Sequence, residues 1–313
     1  MSESVSLVQG PVAEPVTLND VKLQLGFGPM QDSDRAASQI LNDKLRAFIV
    51  AARRWAESWT HRALITQTWV LRRDSFPGHN LRYEWNGYPE IKLPYAPLRS
   101  IGSFQYIDVS GTPQILTQDT TFGVNPLNPE YGYQLERGDD QRYGRLLPPF
   151  ARPWPPTRMV PANVIVKFRC GYGGPITCSM ENGSAVLTVS GGAPLTFNND
   201  DQPLLPAETG LPIFVPGAGT ASGVNPANGQ LVTGGLWTTI ASVNPSNGQA
   251  TLAAAAAASV TNVQGWAGYA VPNEITAAIK MLVESYYEHG GCEDVPIPDV
   301  IINLLDSWRN EIT

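Results

Sequence analysis

The chain is short of charge. Asp, Glu, Lys and Arg make up 16% of its 313 residues, against about a quarter in an average globular domain. The shortage is concentrated. After Arg169 no Lys or Arg occurs before Lys280, and between Ser179 and Gly265 the charged residues are Glu181, Asp200, Asp201 and Glu208 alone. With a formal net charge of −7 there is no basic surplus to neutralise phosphates, so composition argues against a dedicated nucleic-acid binder. Cysteine is equally scarce. Cys170, Cys178 and Cys292 are too few for a disulfide framework, and their odd number fits a reducing compartment. Cys170 and Cys178 are spaced too widely for a metal knuckle and have no histidine beside them, so they read as small buried thiols. No apolar run reaches membrane-spanning length. Residues 1–10 lack the basic-then-apolar pattern of a signal peptide. The expectation is a soluble protein made in a cytoplasm, with no membrane partner.

Catalytic patterns are missing too. No GxSxG, HExxH or P-loop phrase occurs. His61, His79 and His289 fall at a helix end, in a turn and at another helix end, where histidine is usually solvated or capping. Asp200-Asp201 could serve as an acid pair or half a cation site, but an Asn-Asn-Asp-Asp-Gln context reads as an exposed loop. Arg53-Arg54 and Arg72-Arg73 could hold an anion or an acidic partner; a solvated helix face and strand edge is the simpler reading. The sequence therefore predicts no enzyme, no cofactor and no metal.

What is present is structure-forming pattern. Apolar residues reach 42%, with 29 Gly and 27 Pro, enough for two cores and many turns. Residues 1–16 read as a mobile arm. Thr17-Leu18-Asn19-Asp20 offers a helix cap ahead of Val21, Leu23 and Leu25, with Gly26 and Gly28-Pro29 as the stop. From Asp32 onward Leu41, Leu45, Phe48, Ala52, Trp55 and Trp59 recur in steps of three and four, predicting one long helix with an apolar face. The stripe Leu41, Leu45, Phe48, Trp55 and Trp59 is a candidate for core packing or for contact with a second copy.

Residues 63–170 read as strands around Thr66–Leu71, Ile91–Leu93, Ser103–Ile107 and Val164–Arg169, punctuated by Gly and Pro turns. Pro148 to Pro161 is too rich in proline for regular structure and predicts an extended wrap. Within the charge-poor stretch, Val224–Gln230 and Val243–Gln249 repeat one Asn-Pro-x-Asn-Gly phrase, and each predicts a hairpin turn. Ala253–Ala258 has helical propensity, but its β-branched neighbours predict strand or loop. Two closing helices follow, with Asn273 as cap of the first and Pro298 at the first position of the second. The predicted fold class is α+β: a helical bundle of terminal helices with an antiparallel β region between them, plus an inserted all-β domain.

Several phrases, taken in order, resemble one family. They are Pro15–Lys22, Phe48–Trp55 running on through Thr60–Trp69, Ile91–Pro94 with Pro97-Leu98, Trp154-Pro155 with Arg158, Val164–Gly173, and Val271-Pro272 with Ile275, Ala278-Ile279 and Leu282-Val283. Together they resemble the head-to-tail connector (adaptor) proteins of tailed bacteriophages. The resemblance spans most of 15–173 and 268–310 and departs where Gly171-Tyr172-Gly173 should run promptly into Val271-Pro272.

The resemblance implies a structural virion protein of the neck, assembled in the host cytoplasm. It implies a homo-oligomeric ring, usually of twelve copies, beneath the portal protein, with a stopper, nozzle or other tail-side protein below and DNA passing through the lumen without sequence-specific binding. It implies a portal-contact segment at Trp308, Arg309, Asn310, Glu311, Ile312 and Thr313. The body would be 17–173 with 268–313, and 174–267 an inserted β domain, about 90 residues and so large enough to fold alone. Phrases such as Ile213–Gly219 and Thr238–Val243 resemble small β modules of other phage virion proteins. The alternative reading is therefore a tail-spike-like or receptor-binding virion protein that uses this insert.

Overall fold

The computed structural model describes residues 3–27, 35–78, 89–118, 132–138, 142–149, 152–192, 209–224, 231–244, 249–290 and 297–309. His79, Cys292, Asp200, Asp201 and Asn310–Thr313 lie outside the described residues, as do the Asn-Gly turns themselves.

The chain opens with strand β1 (Glu3–Gln9) and helix α1 (Leu18–Gln24), which starts on a capping box. Thr17 accepts from the Asp20 backbone N–H while Asp20 accepts from the Thr17 N–H, so two of the otherwise unpaired donors at the helix start are satisfied. Helix α2 (Arg35–Thr60) follows. Leu45, Ile49, Ala52 and Ala56 are fully buried on its inner face, and Leu41, Phe48, Trp55 and Trp59 are half-buried beside them. The inner face packs on α3 (Asn273–Glu288) through Ile275, Ala278, Ile279, Leu282 and Val283. Helix α4 (Asp299–Asp306) closes the cluster with Ile301 and Leu305.

Between α2 and α3 the chain is β. Strands β2 (Gln67–Arg73), β3 (Ile91–Lys92), β4 (Leu98–Ile107), β5 (Pro113–Ile115), β6 (Thr117–Gln118), β7 (Gly132–Glu136), β8 (Arg145–Leu147) and β9 (Val164–Cys170) form two sheets, ordered β1-β2-β9-β4-β5 and β3-β8-β7-β6. Their shared core holds Leu71, Phe76, Phe104, Tyr106, Tyr133 and Phe168. The proline-rich stretch is irregular as expected, and it contributes Trp154, which stacks on Phe76 at 4.8 Å.

Seven more strands follow: β10 (Gly173–Met180), β11 (Val186–Gly192), β12 (Pro212–Val215), β13 (Ala221–Val224), β14 (Leu231–Asn244), β15 (Gln249–Leu252) and β16 (Val260–Gly268). The order β12-β16-β10-β11-β15-β14 returns to β12, closing a six-stranded antiparallel barrel with β13 attached outside β14. Closure gives each of those six strands a neighbour on both sides. Alternate residues fill the interior: Ile176, Cys178 and Met180 from β10, Ile213 and Val215 from β12, Leu236 and Ile240 from β14. Residues 253–259 form no helix, and their backbone ties into neighbouring loops through Ala256 N–H to Ser184 O and Ala257 N–H to Ala218 O.

Four expectations need adjustment. Residues 3–9, expected within a mobile arm, lie as a strand on β2 because the β2 edge offers unpaired backbone groups and Arg73 pairs with Glu3 at 3.0 Å. The β region is not wholly antiparallel: β6 and β7 run parallel, which a connection of about a dozen residues permits. Asn273 is the first helical residue, and Pro272 occupies the cap position without a side-chain bond. Pro298 likewise sits one residue before α4 as its cap. In both places proline's fixed φ sets the helix entry, at α3 where the polar Asn273 was expected to cap and at α4 where Pro298 was expected one position further in. No described helix is long and apolar enough to cross a membrane.

Candidate functional site

Three phrases of the resemblance, Thr60–Trp69, Pro97-Leu98 and Val164–Gly173, lie far apart in sequence and meet at one place. Helix α2 ends at Thr60, and His61 turns the chain with φ 52°. The extended segment that follows, leading into β2, is threaded between two others. Ala63 N–H donates to Ala96 O at 3.1 Å, Tyr172 N–H to Leu64 O at 3.3 Å, and Thr66 N–H to Gly173 O at 2.9 Å. Gly171 N–H donates to Pro97 O at 2.9 Å. So Ala63–Thr66, Ala96-Pro97 and Gly171–Gly173 form one hydrogen-bonded crossing.

The glycines are required by that closeness. Gly171 has φ +118°, and a Cβ there would stand 2.5 Å from the Ile65 carbonyl oxygen. Gly268 has φ +106°, and its Cβ would meet Arg99 Nη1 at 2.2 Å and Tyr172 O at 2.5 Å. Gly173 and Gly268 face each other as the first pair of β10 and β16. The barrel therefore begins and ends at the crossing.

Two buried arginines fasten it. Arg99 Nη1 donates to Tyr172 O at 2.7 Å, and Tyr269 N–H donates to the same oxygen at 2.9 Å. Arg62, 1% exposed, donates from Nη1 to the Tyr172 hydroxyl at 3.2 Å and from Nε to the Trp308 carbonyl. A second buried network braces the end of α2. Glu57 accepts from Arg53 at 2.5 Å, from Leu64 N–H at 3.0 Å and from Gln67 at 2.7 Å, while Arg53 also binds Glu14 at 2.7 Å. Burial raises the Glu57 carboxyl above its ordinary range, opposed by Arg53 and these hydrogen bonds. Burial also lowers Arg53, but Glu57 and Glu14 outweigh it and the net change is upward.

The other expected residues fall as follows. Leu45 of the α2 stripe is core, and Leu41, Phe48, Trp55 and Trp59 line the rim of the helical cluster. Trp55 and Trp59 stack at 5.4 Å. Trp59 Nε1 donates to Asp306 at 3.0 Å, and the Arg309 guanidinium lies 5.2 Å from the Trp59 ring. Trp308 and Arg309, the described part of the portal-contact candidate, thus pack back on α2. Of the arginine pairs, Arg53, Arg72 and Arg73 have partners within the chain, at Glu14 and Glu57, Ser6 and Glu3. His289 Nδ1 lies 2.9 Å from Ser285 O at the end of α3. Cys170 and Cys178 are buried thiols; burial raises both, Cys178 to about 11.

Among the described residues no group of His, Cys, Asp and Glu could hold a metal ion. Sequence reasoning missed Arg62 and Arg99. An arginine beside a helix end or after a proline looks solvated, and nothing local marks it as buried.

No family model and no curated protein matches the chain. Among solved structures it is similar to a chain from the neck of an empty gene transfer agent (GTA) particle computed with C6 symmetry, at 14% identity and TM-score 0.45, covering 99% of this chain and 97% of that one. It is similar to a chain of the virion of a native gene transfer agent particle, at 15% identity and TM-score 0.45, over 99% and 96%. A third, from the neck of a native GTA particle computed with C12 symmetry, has 14% identity and TM-score 0.40, over 99% and 97%. Similarity at this level defines no family and no function.

Proposed function

We propose that the protein is a structural virion component of the neck of a tailed phage or phage-like particle, a connector that joins capsid to tail. In this reading copies of the chain form a ring of about twelve beneath the portal, following the resemblance. DNA passes through the lumen, and a tail-side protein docks below. The terminal helices and the β region are the ring body, 17–173 with 268–313, and Trp308–Thr313 contacts the portal. The barrel is an insertion carried on the outside, where a surface nearly without charge gives DNA no attraction. The protein has no catalytic role.

One observation carries the reading. The separate phrases that resemble connector proteins, Thr60–Trp69, Pro97-Leu98 and Val164–Gly173, are hydrogen-bonded to one another at a single crossing. The residues that depart from the resemblance start and finish there as the paired strands β10 and β16. The experiment is to purify the chain with and without the portal protein of the same particle and to measure mass and shape by light scattering and negative-stain imaging. Rings that cap the portal are expected. A chain that stays monomeric in both conditions refutes the reading.

A further inference from the structure

β1 is the outermost strand of the five-stranded sheet, and little holds it. Of its seven residues only Val5 is half-buried, against the β core. Leu7 and Val8 are 49% and 55% exposed, and Val12 in the segment that follows is 47% exposed. Its attachment is a backbone ladder to β2, from Glu3 opposite Arg73 to Gln9 opposite Thr68 with a bulge at Val8. The Glu3–Arg73 ion pair at 3.0 Å and the Arg72–Ser6 hydrogen bond at 2.7 Å complete it. After Gln9 the chain runs through Gly10-Pro11-Val12-Ala13 before the body takes hold of it again, where Glu14 binds Arg53 and Val16 is buried. The strand is therefore a separable piece on a short tether stiffened by proline.

We propose that β1 is an exchanged assembly strand: in the oligomer the β1 of one copy lies on β2 of the next, in the register it adopts on its own β2. The occupant of the β2 edge is settled by what already sits there. Every contact β1 makes within one chain is offered unchanged by a second copy, so exchange costs no contact and links subunits through a few residues of tether. Leu7, Val8 and Val12, uncovered in the single chain, then meet a neighbouring subunit, which removes apolar surface from water. The bulge at Val8 distorts the outer edge of β1 and discourages a further strand from adding there, so pairing ends at one exchange. The inference rests on the ring reading for the identity of the oligomer but needs only two adjacent copies.

Cysteine crosslinking between separately marked chains tests it. Ser4 lies opposite Arg72, and Ser6 opposite Val70. A tagged chain carrying Ser4→Cys and an untagged chain carrying Arg72→Cys, each with Cys292→Ser, are unfolded together, refolded and oxidised. The pair Ser6→Cys and Val70→Cys repeats the readout at a second position. One chain carrying both Ser4→Cys and Arg72→Cys reports the pairing itself, and particle mass is measured in parallel. Exchange predicts a reducible band holding one tagged and one untagged chain, and a covalent ladder from the double variant. Oligomers in which the double variant closes only within single chains overturn the exchange and leave the ring reading intact. A mixed band without ring-sized particles supports exchange and counts against the ring. Monomers without a mixed band, or a double variant that forms no crosslink at all, overturn the exchange.

Discussion

The Arg62 guanidinium sits 5.6 Å from the centre of the Trp308 ring while its Nε donates to the Trp308 carbonyl. One buried side chain therefore grips the root of the C-terminal segment twice. Through its Nη1 bond to Tyr172 it joins that root to the crossing where the barrel departs. Trp308→Ala should cost about 1–3 kcal/mol through lost ring packing and cation–π contact. Trp308→Phe, which keeps an aromatic face, should cost about half as much or less. Urea denaturation of the two variants measures both, and equal losses would deny the ring a role.

Gly171 and Gly183 both have positive φ, at +118° and +77°, but only Gly171 has backbone within reach of an added Cβ. Gly171→Ala should cost about 2 kcal/mol or more from strain plus collision with Ile65, and Gly183→Ala only about 1 kcal/mol from strain. A comparison of their unfolding midpoints separates the two effects.

Leu45 is fully buried and Ile40 is 72% exposed on the same helix. Leu45→Ala should cost about 2–5 kcal/mol, while Ile40→Ala should stay within about 0.5 kcal/mol of the parent. Denaturant titration of both variants checks this directly. A destabilised Ile40→Ala monomer would show that the helix faces are assigned wrongly.

Asp108 accepts hydrogen bonds from Ser110, Thr112 and Gln114 in the β4–β5 turn. The Ser110 hydroxyl first, then the Thr112 backbone and Gln114, lower its carboxyl from the ordinary 3.8 to about 2. The folded value lies below the unfolded one, so the carboxylate's contribution to stability is fully present above pH 3.8 and is lost as pH falls through about 2. The melting temperature of the parent should exceed that of Asp108→Asn at pH 6, with the gap closing between pH 4 and 2. A gap that does not change with pH would rule out the charged form as the source.

The parts of this fold legible in sequence were those written in local chemistry. Thr17 with Asp20 announced α1. The spacing of Leu45, Ala52 and Trp59 announced α2, and the Asn-Gly phrases marked hairpins that β13–β14 and β14–β15 flank. Long-range pairing was not legible. Nothing near Glu3 indicates that it will meet Arg73, and nothing near Phe214 or Trp266 indicates that these barrel residues leave the barrel interior for the helical core. Barrel closure depends on β12 meeting both β14 and β16, a relation between segments that composition does not carry. Within the candidate site the glycines of Gly171-Tyr172-Gly173 were visible as a phrase. Arg62 and Arg99 were not, because their partners return to them from 73 to 246 residues further along the chain.

Imaging the neck of particles that carry this protein, at a resolution that separates helices, tests the central claim most directly. The connector reading predicts a closed ring of copies directly beneath the portal, with the helical and β body around the lumen and the barrels outermost. A neck without density for this chain, or the chain found only at fibres or spikes at the tail, would contradict it.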